Sequence, residues 1–152
     1  MQVKEAIALF EESLRHFKLN ADQTRCENEG EYIIGSENAE LYIDIWQPEE
    51  SSQWQYFDRE QTAGIFQVVA PVCYYPEAGH REMFFEELAH INFHMFYGRF
   101  IANSEQEVVS LQYKRILNGL NESEIVEPIE AITYYTENLK EYLAEKYKVK
   151  KL

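Results

Sequence analysis

Cysteine is almost missing: Cys26 and Cys73 are the two in 152 residues. Thiols so few and so far apart do not make a disulfide framework or a zinc knuckle, both of which need closely spaced ligands. Two reduced thiols are expected, with Cys73, in an apolar run, acting as a small buried hydrophobe. Glycine is sparse too. Gly30, Gly35, Gly64, Gly79, Gly98 and Gly119 are scattered, so no loop has the dense spacing that cradles phosphate, which argues against a nucleotide enzyme. No apolar run approaches the ~18–20 residues that span a bilayer. Met1 to Glu5 carries neither a basic stretch before an apolar run nor a small-residue cleavage site, and a cytoplasmic protein is expected.

Positive charge is the other shortage. Lys and Arg total 14 against 27 Asp and Glu, a formal net charge of −13 that repels phosphate backbones and anionic lipid. Nucleic acid and membrane are therefore not the expected partners. Two meanings of the acidity stay open, solubility and electrostatic steering of a basic protein partner. Catalytic signatures are also lacking: there is no Gly-x-Ser-x-Gly elbow, neither cysteine lies in a nucleophile motif, and no cofactor-binding pattern is visible.

What is present is apolar and aromatic. The hydrophobic fraction is 45%, with 11 Tyr, 9 Phe and 2 Trp, too much for a disordered chain despite its charge. A chain of this length is expected to form one domain, residues 1–152, burying about two-thirds of its unfolded surface.

Val3, Ile7, Phe10, Leu14 and Phe17 recur at three and four, predicting a helix over 2–18. Residues 31–35 and 40–47 read as strands joined by the turn Ser36-Glu37-Asn38, the second with Leu41, Ile43 and Ile45 alternating against Tyr42, Asp44 and Trp46. After a break at Pro48 to Ser52, two aromatic and β-branched runs, 53–59 and 64–75, predict further strands. Pro71 cannot donate to a central ladder, so that strand either runs at an edge there or carries a bulge. Phe84, Leu88, Ile91 and Met95 predict a helix over 81–97 capped by Gly98. Strands over 99–103 and 107–117 follow, with a turn at 104–106.

The last helix starts at a capping-box pattern, Asn121 with Glu124, and continues through Ile125, Ile129, Ile132, Leu139 and Leu143. Pro128 is expected to kink it or to delay its regular part until after residue 127. The tail from Lys146 to Lys151 reads as a solvated terminus at the negative end of the helix dipole. The order α-β-β-β-β-α-β-β-α predicts an α+β fold, a mainly antiparallel sheet with helices on one face.

The run from Phe84 through His90, Ile91 and Asn92 to Tyr97-Gly98-Arg99-Phe100 resembles the central signature of YbjN-domain proteins, in which a helix carrying an asparagine ends at glycine and re-enters the sheet. Phe66 to Val72, with Pro76 beyond, resembles the strand before that helix. The resemblance implies a fold like that of type III secretion chaperones, small acidic dimers that hold partner polypeptides, and it implies no catalytic residues. A protein-binding role as chaperone, adaptor or regulator follows from it, with a homodimer as the working form.

Trp46, Trp54, Tyr56, Tyr74 and Tyr75 concentrate aromatics in the sheet region, more than one face readily buries. They are the candidate protein-binding surface, aromatics anchoring and charge steering. Packing of that face against a dimer mate is the open alternative. An immunity or inhibitor protein neutralising a cationic toxin would suit the same acidity. His90 and His94, four apart on one helix, have a spacing that can place both imidazoles on one metal, but a zinc-protease glutamate would have to follow His90, where Ile91 stands. An exposed face of histidines near Glu86 and Glu87 is the plainer reading. Asn92 is expected to hydrogen-bond nearby backbone, and paired carboxylates such as Glu11-Glu12 and Glu86-Glu87 to be solubilising.

Overall fold

The computed structural model describes residues 1–48 and 64–152. The alternating β2 (Ala39–Trp46) pairs on one side with β1 (Glu31–Ser36) and on the other with β3 (Ile65–Tyr74). Beyond β3 come β5 (Val108–Ile116) and β4 (Arg99–Asn103), giving a five-stranded, wholly antiparallel sheet in the order β1-β2-β3-β5-β4. The strand predicted over 53–59 lies outside the described residues. Strand periodicity settles which side chains go in: Leu41, Ile43 and Ile45 of β2 and Phe66, Val68, Ala70 and Val72 of β3 are buried.

Helices cover that inner face. α1 (Val3–Ser13) gives way to a 3₁₀ turn, Leu14–Phe17, so the predicted N-terminal helix divides into two geometries and closes on a left-handed Lys18. A short α2 (Ala21–Thr24) follows, held by a full capping box between Asn20 and Gln23. α3 (Arg81–His94) and α4 (Ser123–Tyr147) complete the layer, and α4 lies against β3, β2 and β5. The core joins Phe10, whose ring centre is 4.5 Å from that of Tyr32 and 6.3 Å from that of Phe66, to Ile125, Ile129, Ile132 and Leu143 of α4. Burial of side chains of this size contributes about 1.5–3 kcal/mol each.

Three expectations change. α3 stops at His94 with Met95 extended, short of the predicted 97; Gly98 caps no helix but takes φ +86° at the turn into β4. A Cβ on Gly98 would stand 2.7 Å from both the Gln112 carbonyl oxygen and Ile132 Cδ1, so close packing as well as backbone requires glycine. α4 begins at Ser123, so Pro128 does not delay it. Pro128 lies inside the helix as its sixth residue, past the four N–H groups that have no intrahelical partner, so it removes the one bond its N–H would make to the Glu124 carbonyl. Asn121 does cap as expected, its Oδ1 accepting from the Glu124 N–H at 3.0 Å, but the Glu124 carboxylate turns to Arg115 at 2.6 Å rather than completing the box.

The third change is the tail. After Lys148, left-handed at φ 55°, the chain folds back and pairs with β3: Tyr74 N–H donates to the Lys150 carbonyl at 3.0 Å and Leu152 N–H to the Val72 carbonyl at 3.0 Å. Val149 is buried, and Lys140 of α4 donates to the main-chain oxygens of Asn38 at 3.1 Å and Leu152 at 2.7 Å. The expected solvated terminus is thus a strap. It takes the position beside β3 that β2 leaves, since β2 pairs no further along β3 than Val69. Pro71 sits in the changeover between the two partners, where no donor is needed, and the predicted bulge appears toward β5 as a register shift between Pro71 and Cys73.

Candidate protein-binding surface

Trp46 is the last residue of β2, on the sheet face away from the core, with Lys114 Nζ 5.7 Å from its ring centre. Its ladder partner Ile65 opens β3, whereas Tyr74 closes it. A strand of that length spans about 30 Å, so Trp46 and Tyr74 stand at opposite ends of the sheet. Tyr74 is 38% exposed, with Lys150 Nζ 5.6 Å from its ring centre. Tyr75 turns inward, edge-on to Phe85 at 4.9 Å and beneath the Arg81 guanidinium. Trp54 and Tyr56 lie outside the described residues. The three candidate aromatics that are described do not meet in one patch.

The outer sheet face carries a polar row across four strands. Arg99 donates to Gln112 at 3.1 Å, Gln112 to Gln67 at 2.9 Å, and Gln67 to Asp44 at 3.3 Å. Half-burial raises the Asp44 pKa despite the Gln67 bond. Around this row Ile33, Tyr42 and Ile116 are exposed apolar groups, the first two being direct cross-strand neighbours.

Larger exposure occurs at the end of α3. Phe93 is 84% exposed and Phe96 93%. Phe93 comes two residues after Ile91, about 200° round the helix from the core stripe, and its ring meets that of His94 edge-on at 5.2 Å. His94 in turn meets His90 at 4.9 Å. The helix end beneath these rings is held, because Asn92 bonds both polar main-chain groups of Phe100 and Met95 packs against the core. Exposed rings on a fixed backbone mark a contact surface more strongly than scattered aliphatics do. Their signal in the sequence is an aromatic residue out of phase with the apolar stripe, and the stripe alone does not show it.

Beside Phe96, Tyr97 continues into a shallow groove of about 430 Å³ that Glu127, Glu130, Ala131, Tyr134 and Tyr135 line. The Tyr97 hydroxyl donates to Glu127 Oε2 at 2.8 Å. Elsewhere carboxylates have structural work. Glu11 accepts two bonds from Arg25, at 2.9 and 2.8 Å, and one from the Tyr32 hydroxyl at 2.8 Å; the Arg25 bonds chiefly hold it below the usual carboxylate range. Glu87, expected to be solubilising, joins α3 to α4 by accepting from Tyr142, Tyr147 and Lys146. Partial burial raises its pKa, but those three donors together outweigh it and leave the group below the ordinary value. Among the described residues, no three His, Cys, Asp or Glu side chains stand together as a metal would require, and His90 and His94 remain a pair. No described helix is long and apolar enough to cross a membrane.

No family model matches the chain, and no curated protein matches it. Solved structures do. A chain in the structure of the HopA1–SchA chaperone–effector complex superposes with a TM-score of 0.60 at 8% identity, over 93% of this chain and 98% of that one. A chain of the ExsC–ExsE complex gives 0.54 at 16% identity, over 95% of each. At such identities the likeness is one of fold: this chain has the type III secretion chaperone-like α+β architecture.

Proposed function

We propose that the protein is a non-enzymatic binding module, a chaperone, adaptor or regulator of another protein, acting in the cytoplasm as a homodimer of one-domain subunits. The observation that carries the reading is the pair Phe93 and Phe96, aromatic rings held almost wholly in solvent at the junction of α3 and β4. Anchoring by buried aromatics supplies most of the energy in many protein interfaces, and these two rings are the most exposed large apolar side chains among the described residues. The net charge of −13 steers a basic partner toward the surface. Trp46, Tyr74 and Tyr75, with Trp54 and Tyr56, are further contact candidates. The architecture shared with chains of chaperone–effector complexes supports the role, as does the resemblance to YbjN-domain proteins, and the mechanism needs no cofactor or catalytic group.

The test is a double substitution, Phe93→Asp with Phe96→Asp, compared with the parent by sedimentation equilibrium and by affinity capture from host lysate at low and high salt. Loss of the dimer or of a captured protein, with unchanged thermal unfolding, supports the reading. A parent protein that stays monomeric and retains nothing sinks it.

A further inference from the structure

The groove beside Tyr97 has a chemistry of its own. Glu127, Glu130, Ala131 and Tyr134 fall at i, i+3, i+4 and i+7 of α4, one face of the helix. Ala131 leaves room between the longer side chains, and Tyr97 and Tyr135 supply the remaining walls. Tyr134 is 64% exposed, with its ring centre 6.2 Å from that of Tyr135. Three phenol rings and two carboxylates thus face one open space. Among the described residues no Lys or Arg lines it, and Arg115, next to Tyr113, is committed to Glu124 and to the Asn118 carbonyl.

That combination repels anions and would desolvate two carboxylates under a neutral aliphatic group, an unfavourable exchange. A cation gains on both counts, from the negative ring faces and from the carboxylates. Glu127 bonds Tyr97 through one oxygen, and a carboxylate accepts at both. Between the two biological cations, a guanidinium is planar, stacks on a phenol ring and presents its fork edge-on to carboxylates, whereas an ammonium is a strongly hydrated point charge. The geometry points to a receptor for an arginine side chain of a partner protein, made by Tyr97, Tyr134, Tyr135, Glu127 and Glu130. It rests on the binding role proposed above for the existence of a partner, but not on Phe93 or Phe96.

The test uses a short capped peptide, Gly-Arg-Gly-Arg-Gly, and its citrulline counterpart, which keeps the shape and removes the charge. Amide resonances of the whole chain are followed at low salt. The expected result is saturable shifts at Tyr97 and over residues 127–135, absent with citrulline. Tyr134→Ala and Glu130→Gln, both at exposed positions, each weaken binding about three- to fivefold without altering thermal unfolding. Equal binding of the citrulline peptide, tighter binding of the matching lysine peptide, shifts spread over the acidic surface without saturation, or no binding at millimolar peptide each overturn the assignment. The Phe93→Asp, Phe96→Asp protein is titrated in parallel. If it loses partner and dimer while the parent ignores arginine, the binding role stands and the groove fails; if it still takes the arginine peptide and the parent neither dimerises nor captures a partner, the groove stands and that role fails.

Discussion

Asn92 holds Phe100 by both of its polar main-chain groups: the side-chain nitrogen donates to the Phe100 carbonyl at 3.2 Å, and Oδ1 accepts from the Phe100 N–H at 2.6 Å. A side chain thereby takes the place of a neighbouring strand on β4, which is at the edge of the sheet. It also fixes the last turn of α3, and so the backbone that presents Phe93 and Phe96.

Asn92→Ala leaves a buried residue's main-chain groups with no substitute partner, a loss of about 1–3 kcal/mol. Urea unfolding should show a lower midpoint at an unchanged slope. A shift equivalent to less than about 0.5 kcal/mol would show that water replaces the amide freely.

Glu87 predicts a pH dependence. Its folded-state pKa lies below the ordinary value of 4.5, so its contribution is fully present above that value and is lost as pH falls through the lower folded value. Glu87→Gln should therefore be less stable than the parent at neutral pH, and the gap should close in the acid range. Thermal unfolding of both proteins from neutral to acid pH measures it, and a gap independent of pH would contradict the ion-pair account.

Gly98→Ala meets a left-handed backbone and two atoms at 2.7 Å, whereas a Cβ on Gly35 meets nothing within 4 Å. The first should cost about 2 kcal/mol or more and the second nearly nothing. Equal effects in denaturant titrations would mean that the α3–β4 turn adjusts easily.

Cys73 is completely buried, and burial pushes its thiol pKa up to about 12, against a smaller opposite effect of Lys140. A thiol reagent should label the half-buried Cys26 first and Cys73 only on opening. Val149→Asp, which puts a charge at a buried strap position, should speed Cys73 labelling about tenfold or more. An unchanged rate would show that the strap does not guard this site.

Much of the architecture was legible because burial follows period. Leu41, Ile43 and Ile45 mark β2, Phe84 and Leu88 mark α3, and Pro71 announced its bulge. What stayed hidden depends on the approach of residues remote in the chain. Glu87 reads like Glu86 until Tyr142 and Tyr147 reach it from α4. The lysines after Tyr147 look solvated because nothing local reveals that β2 leaves a vacancy beside Val72. The aromatic count pointed to surplus rings in the sheet region; among the described residues the two most exposed rings are Phe93 on α3 and Phe96 just beyond its end, while Trp46 and Tyr74 stand apart and Trp54 and Tyr56 are outside the described residues.

The strap also bears on the order of assembly. β3 lies between β2 and β5, and its last stretch is bonded to Lys150 and Leu152, which follow α4 in the chain beyond the left-handed turn at Lys148. During synthesis the hairpin of β1 and β2 can form early, but the end of β3 keeps open hydrogen-bonding groups until the final helix docks. Contacts so distant in sequence slow folding and leave an unpaired strand exposed meanwhile. The proposed binder of other chains would itself, while emerging from the ribosome, present an unfinished sheet to whatever binds such edges.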